Sequence, residues 1–481
     1  MFDLCERALG TASRHGADYA DVRRVETETE TVATRNGEPD AIAEEHSVGL
    51  GVRVLVDGAW GFASSAMPTA EEADRIAAEA VRIARASARV PGPPVSLGPT
   101  EANVGTYRTP VAIDAFGVPL EEKLDLLLAA DRLARAVHGV AVVRGSLVAI
   151  RETRAFGSSE GARIEQTILE TGGGLEVTAV GSGDMQKRSY PNSFGRHQAT
   201  AGWELVVEMD LPGNARRIAL EAAALLDAEP CPAGVATVIL DGTQVALQVH
   251  ESCGHPIELD RVFGTEAAYA GTSFLTPEKL GAFRYGSPRV NLTADATIPG
   301  GLGTFGYDDE GVPAQRVELV SRGLFTGYLS SRETAARIGL PASGGAMRAE
   351  SWDVPPLIRM TNVNLEPGTA SLDELLAGVK HGYLLSTNKS WSIDDRRLNF
   401  QFTTELGWEI TDGKLGRLVS RPLYTGITPE FWGRCTGVGR REDWQLWGIP
   451  NCAKGEPMQL MHVGHGAPYA RFDGVFVGPA T

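Results

Sequence analysis

The chain has 481 residues, of which 43% are hydrophobic and 22% charged, and its formal net charge is −16. Binding through nucleic-acid phosphates needs a basic footprint, so this acidity argues against a nucleic-acid partner. No run of ~18 apolar residues offers a membrane span. The opening "MFDLCERALG" lacks a basic region followed by an apolar one, and five irregularly spaced cysteines suit a reducing compartment. The expected location is therefore cytoplasmic.

Residues 1–88 begin with helical spacing at Phe2, Leu4 and Leu9, then pass through alternating strands in "ADVRRVET" and "GLGVRVLVDGAWGFASS". They close with "TAEEADRIAAEAVRIARA", where Thr69 and Glu72 predict a capping box ahead of an amphipathic helix. The Pro/Gly-rich "RVPGPPVSLGPT" (89–100) reads as a connection. Residues 119–228 then repeat the order: the helix "LEEKLDLLLAADRLARAV", the strands "VAVVRGSLVAI", "ARIEQTILET" and "GLEVTAVG", and the helix "GNARRIALEAAALLDA". This is a two-layer α/β arrangement with an internal duplication of a helix–strands–helix unit. The alternative is that any α/β chain parses this way.

A second connection, "DAEPCPAG" (227–234), sets expected domains at 1–95, 96–230 and 231–481. Beyond it "VATVIL" reads as a buried strand. Short apolar runs between Gly, Pro, Asn and Asp follow, with one helix at "SLDELLAGVKHG". The expected fold class is α+β: a two-layer α/β N-terminal region, then a β-rich C-terminal domain that carries the candidate metal helix.

That helix holds "HESCGHPIELD" (250–260). The familiar zinc helix places two histidines four apart on one face, but His250 and His255 are five apart. On a regular helix they would point about 140° away from each other. A π-type turn would bring them together, and Gly254 could take up a backbone departure. Alternatively the helix ends there, because Pro256 disfavours the α conformation at His255. A catalytic zinc needs three protein ligands, an open position and a nearby base. Glu251 adjoins one candidate ligand, and the third would come from elsewhere. On two histidines alone, chance occurrence remains a competing reading.

"HESCGHPIELD" resembles the His-Glu-x-x-x-His-x-x-Glu-x-Asp signature of the TldD/PmbA metallopeptidases, once described as modulators of DNA gyrase. The resemblance extends over nearly the whole chain: "ADYADVR" near the N-terminus, "DDEGVPAQRVELVSRGLFTGYLSSRETA" and "RAESWDVPPLIRMTNVNLEPG" further on, and "NCAKGEPMQLMHVGHGAP" near the end. It implies zinc held by His250, His255 and Cys452, Glu251 as general base, and Glu258 supporting a histidine, with a solvated surface carboxylate as the alternative for Glu258. It also implies peptide or unfolded-polypeptide substrates, and a dimer, formed with itself or with a PmbA-type paralogue.

Two features depart from the family pattern. The segment after Cys452 reads Ala453-Lys454-Gly455-Glu456 where more glycine is expected, and His462 and His465 follow closely in "MHVGHG". These two would contact substrate, compete as ligands, or be satisfied structural histidines. Cys253 is expected on the far side of the metal helix, Cys435 in a structural role, and Cys5 and Cys231 in isolation. The rival functions are a non-catalytic family scaffold and a gyrase-modulating protein.

Overall fold

A computed structural model describes residues 2–181 and 183–480. The N-terminal half contains α1 (Phe2–Arg14), β1 (Tyr19–Arg35), β2 (Glu38–Val56), β3 (Ala59–Ser65), α2 (Ala70–Ser87), β4 (Val104–Arg108), α3 (Leu120–Arg135), β5 (Val140–Ser158), β6 (Arg163–Gly181), β7 (Asp184–Tyr190), β8 (His197–Ala199), α4 (Glu204–Met209) and α5 (Leu211–Leu226). Both early hairpins turn on residues with positive φ, Asn36-Gly37 and Asp57-Gly58, the pairs that suit a turn whose twist matches its strands. Thr69 caps α2 through the Glu72 amide. The reciprocal half of the predicted capping box is absent, because the Glu72 carboxylate instead accepts from Ser65 (2.6 Å) and Arg75.

The two helix–strands–helix units share one sheet. Its order is β3-β2-β1-β5-β6-β4, with β7 and β8 also pairing to β6. The first strands of the two units, β1 and β5, run antiparallel from Asp21–Ser158 to Arg35–Arg144. The β3-β2-β1 half therefore faces a β5-β6-β7 half across that seam, as a duplicated unit related by a two-fold would. The division near residue 95 thus separates the units along the chain, while in space their strands are joined.

Residues of a strand alternate between faces. Val143, Leu147, Ala149 and Ala155 of β5 pack under the helices. Ile150, Glu152 and Arg154, on the opposite face, look toward the C-terminal region. The sequence suggested a break in "TGGG", but β6 runs straight through it. Gly172 and Gly173 admit neighbouring backbone so closely that a Cβ would lie 2.4 Å from His197 O and from Ser146 O respectively.

In the C-terminal region β9 (Gly234–Leu240) pairs in parallel with the strand His381–Ile393. Because His381–Ile393 also pairs with Asn399–Thr411, these strands close a ring with Pro422–Ile427 and Ala470–Pro479. The expected helix at "SLDELLAGVKHG" is only Leu372–Leu376: Ser371 and Glu374 form a capping box, but the chain leaves the helix at Ala377 and Gly378 has φ 74°.

Between β9 and the ring's parallel neighbour lies α6 (Gly242–Val249), started by Asp241, whose side chain accepts from the Gln244 amide. Every residue from Thr243 to Leu259 is buried. A helix buried on all sides must look for polar partners inside the protein, and Tyr424 supplies two of them: its Oη sits 2.8 Å from Gln244 Nε2 and 2.9 Å from Gln248 Oε1, while Gln244 Oε1 is left without a partner.

Candidate metal centre

Beyond α6 the backbone widens into a π turn, His250–Gly254, closed by the His255 amide on the His250 carbonyl. A short 3₁₀ turn, His255–Ile257, follows. The extra residue per turn cancels the angular error of the five-residue spacing, so the two imidazoles meet with ring centroids 4.9 Å apart. His255 itself keeps φ −66° and ψ −41° despite Pro256, so the proline shapes the next turn rather than ending the helix. Gly254 likewise has ordinary helical angles. Its lack of a side chain serves another purpose: a Cβ there would lie 2.1 Å from Met360 Sδ.

Cys452 reaches this point from the strand Gln445–Lys454, at a register shift between Ile449 and Cys452. Its Sγ is 3.8 Å from His255 Nε2, and ligand atoms of His250, His255 and Cys452 all lie within 4.8 Å of one another. Tetrahedral zinc with Zn–S ~2.3 Å and Zn–N ~2.0–2.1 Å would need S···N near ~3.6 Å. The donor set fits such an ion.

The surroundings set each ligand's protonation. His465 Nδ1 faces the Val363 carbonyl at 2.8 Å, to which only an N–H can donate. Its Nε2 is then the acceptor for His250 Nδ1–H at 2.8 Å, which leaves the lone pair of His250 on Nε2. His255 Nδ1 donates to Glu258 Oε2 at 3.0 Å, so its lone pair is also on Nε2, facing Cys452. Burial holds His250 below the ordinary imidazole range and His255 well below it, and both are neutral. Burial also pushes the Cys452 thiol up, but positive charge on His255, present when the thiol's proton passes to its Nε2, and on the Arg359 guanidinium outweighs it, and the net shift is downward. Cys231, Cys253 and Cys435 are instead pushed up to about 12, and Cys5 to about 11, chiefly by burial. All five thiols are free and buried. Cys253 and Cys435 pack in the main core.

Glu258 is fully buried, so the solvated alternative is excluded. Its Oε2 also lies 3.3 Å from Lys454 Nζ and 3.6 Å from Arg261 Nε. Lys454, the departure noted after Cys452, is itself fully buried and donates to Asp260 (2.7 Å) and the Ile358 carbonyl (2.6 Å). Buried charges need such partners. His465 is the satisfied structural histidine among the readings offered, and it acts on His250. His462 lies apart: it points into a second cavity facing the sheet, 2.5 Å from Glu170 Oε2.

Glu251 and the three candidate ligands open into a cavity of about 260 Å³. Its walls come from Asn192–Phe194 after β7, from Asn388, Trp391 and Arg397, and from Gly448–Ala453. Arg397 is the residue that sequence reasoning missed. Its Nη1 donates to Glu251 Oε2 at 2.6 Å, and its backbone is left-handed with φ 63°. The "DDRRLNF" stretch carries no spacing signal that points to it.

Comparison with known proteins follows the same lines. Family models described as PmbA/TldA metallopeptidase domain 1, central domain and C-terminal domain match residues 20–84, 113–227 and 233–479. A protein of Methanothermobacter thermautotrophicus named "Metalloprotease" is 31% identical over 96% of this chain and 95% of its own. A Saccharolobus solfataricus protein named "Zinc metalloprotease TldD homolog" is 30% identical over 38% of this chain and 39% of its own. A Thermotoga maritima crystal structure, described as a proposed modulator of a DNA gyrase, superposes with a TM-score of 0.78 at 18% identity, covering 99% of both chains. That likeness is one of fold.

Proposed function

Because the chain belongs to the PmbA/TldD metallopeptidase family, we propose that it is a zinc-dependent peptidase in which His250, His255 and Cys452 hold the metal and Glu251 is the general base. The observation that carries this reading is the convergence of two imidazoles and one thiol on one point of a cavity that also holds Glu251. Zinc at that point supplies a Lewis acid that polarises a carbonyl and lowers the pKa of water.

The chain's own residues supply the rest. His465 and Glu258 fix the two imidazoles with Nε2 free, the arrangement by which outer partners orient metal-binding histidines. Glu251 accepts a proton from the attacking water and delivers it to the leaving amine. Arg397 holds the carboxylate on the cavity side. At about 260 Å³ the cavity is far smaller than a folded domain, which supports peptides or unfolded polypeptides as substrates. Assembly as a dimer, with a second copy or with a PmbA-type paralogue, belongs to the same reading.

The test is zinc content and cleavage of a peptide panel, wild type against Glu251→Gln. The variant should keep its zinc and lose roughly 10²–10⁴-fold in rate. Cleavage by the variant at the wild-type rate would remove Glu251 from the role.

A further inference from the structure

Two large aromatic side chains stand exposed at the mouth of the metal cavity, and nothing in the proposed chemistry employs them. Phe194 is 39% exposed and Trp391 43% exposed, and both line the cavity that contains His250, Glu251, His255 and Cys452. They come from different parts of the chain, Phe194 from the turn after β7 and Trp391 from the ring strand His381–Ile393. They meet edge to face with centroids 6.4 Å apart and planes at 70°. Phe194 keeps a left-handed backbone, φ 60° and ψ 22°, which is unfavourable for a bulky residue. Lys187 Nζ sits 5.4 Å from its ring centroid. An aromatic held out in a strained conformation, against a second aromatic and beside a candidate catalytic carboxylate, has the form of a recognition wall. Leu247, Ile449 and Pro450 extend the apolar surface inward.

We propose that Phe194 and Trp391 determine specificity by receiving an apolar side chain of the substrate, aromatic by preference, next to the bond presented to the metal. This rests on the peptidase reading and narrows its substrate class from any extended peptide to those with an apolar residue flanking the scissile bond. Stacking against an exposed aromatic pair pays through rings meeting offset or edge to face, geometries a Phe or Trp side chain can complete and Gly or Asp cannot.

The experiment has two arms. The first measures kcat/KM on fluorogenic peptides that differ only in the residue flanking the cleaved bond (Phe, Leu, Gly, Asp), for zinc-loaded wild type, Phe194→Ala, Trp391→Ala and Trp391→Phe. Wild type should prefer Phe over Gly by about tenfold or more, the size of a well-placed aromatic contact with its burial. Each alanine variant should lower that ratio several-fold, mainly through KM, with zinc content unchanged, and Trp391→Phe should restore most of it. The second arm titrates the Phe and Gly peptides into Glu251→Gln protein and follows quenching of tryptophan fluorescence, which is lost in Glu251→Gln/Trp391→Phe. Equal kcat/KM for Phe and Gly peptides in wild type, or a ratio untouched by both alanine variants, overturns the proposal. If zinc-loaded protein cleaves none of the peptides, the peptidase reading fails, and the titration still decides the wall: tighter binding of the Phe peptide upholds it, and equal binding overturns it.

Discussion

Cys452 and His465 lie far along the chain from the His250–His255 pair they serve, and each tests a different part of the site. Cys452→Ser replaces a soft thiolate donor with a hydroxyl that stays protonated. Purified variant protein should hold less than one zinc per chain by elemental analysis, and full retention would take Cys452 out of the ligand set. His465→Phe keeps the ring's bulk but removes the acceptor of His250 Nδ1–H. Removing such outer partners typically costs ~10–100-fold in metal affinity, so competition with a chromogenic chelator should show a weakening of about that size. At this scale the sequence disclosed the motif and, through family resemblance, named Cys452, which the structure brings to the two histidines. It could not disclose the role of His465 or the presence of Arg397, because hydrogen-bond partners 215 and 146 positions away are set by the fold and not by spacing.

The element that makes the site is one widened turn. The five-residue spacing of the histidines reads as a mismatch on an ideal helix and becomes correct once the His255 amide closes on His250. The irregularity was legible; the reason for Gly254 was not, since its need for space comes from Met360, over a hundred residues later. Gly254→Ala forces a Cβ against Met360 Sδ, and overpacking of this kind costs ~1–3 kcal/mol. Urea unfolding should show that loss, and Gly254→Ala/Met360→Ala should recover part of it. If Gly254→Ala were as stable as wild type, the close approach would not be what requires glycine. Other elements show the same division. The amphipathic helices were readable from local periodicity. The passage of β6 through Gly172–Gly174 was not, because glycines that suggest a break locally are here demanded by neighbouring strands.

For the molecule as a whole, contacts between the N-terminal sheet and the C-terminal region include an imidazole–carboxylate pair, His462 and Glu170. Burial pulls the His462 pKa down, but the Glu170 carboxylate more than offsets it and the net shift is upward. A group whose pKa is raised on folding stabilises the fold fully below its unfolded value, about 6.5, and loses that contribution as pH rises through the folded value. The melting temperature of wild type should therefore exceed that of His462→Gln by most at pH 5.5 and by least at pH 9. A difference that did not vary with pH would mean the pair is not charged. Assembly is testable by sedimentation of the purified chain, alone and mixed with a PmbA-type paralogue. The expected species is a dimer, and a strictly monomeric, fully active protein would rule that out. The three-part plan and the β-rich C-terminal region were visible in composition and turn chemistry; the merging of the first two parts was not, because strand pairing between distant segments leaves no local trace.

That merging has a consequence for how the chain came to exist. If a lone ancestral unit carried α1, β1, β2, β3 and α2, its β1 would have presented an open hydrogen-bonding edge, and such edges invite pairing with another copy. The antiparallel seam between β1 and β5 is the contact two identical copies of that unit would make, each offering its first strand to the other across a two-fold. Fusion of two genes would have turned an association between molecules into a covalent certainty, free of dilution and free to let the copies diverge. In the first unit a short turn follows the third strand; in the second, Asn192–Phe194 follow it and share in the walls of the candidate metal cavity.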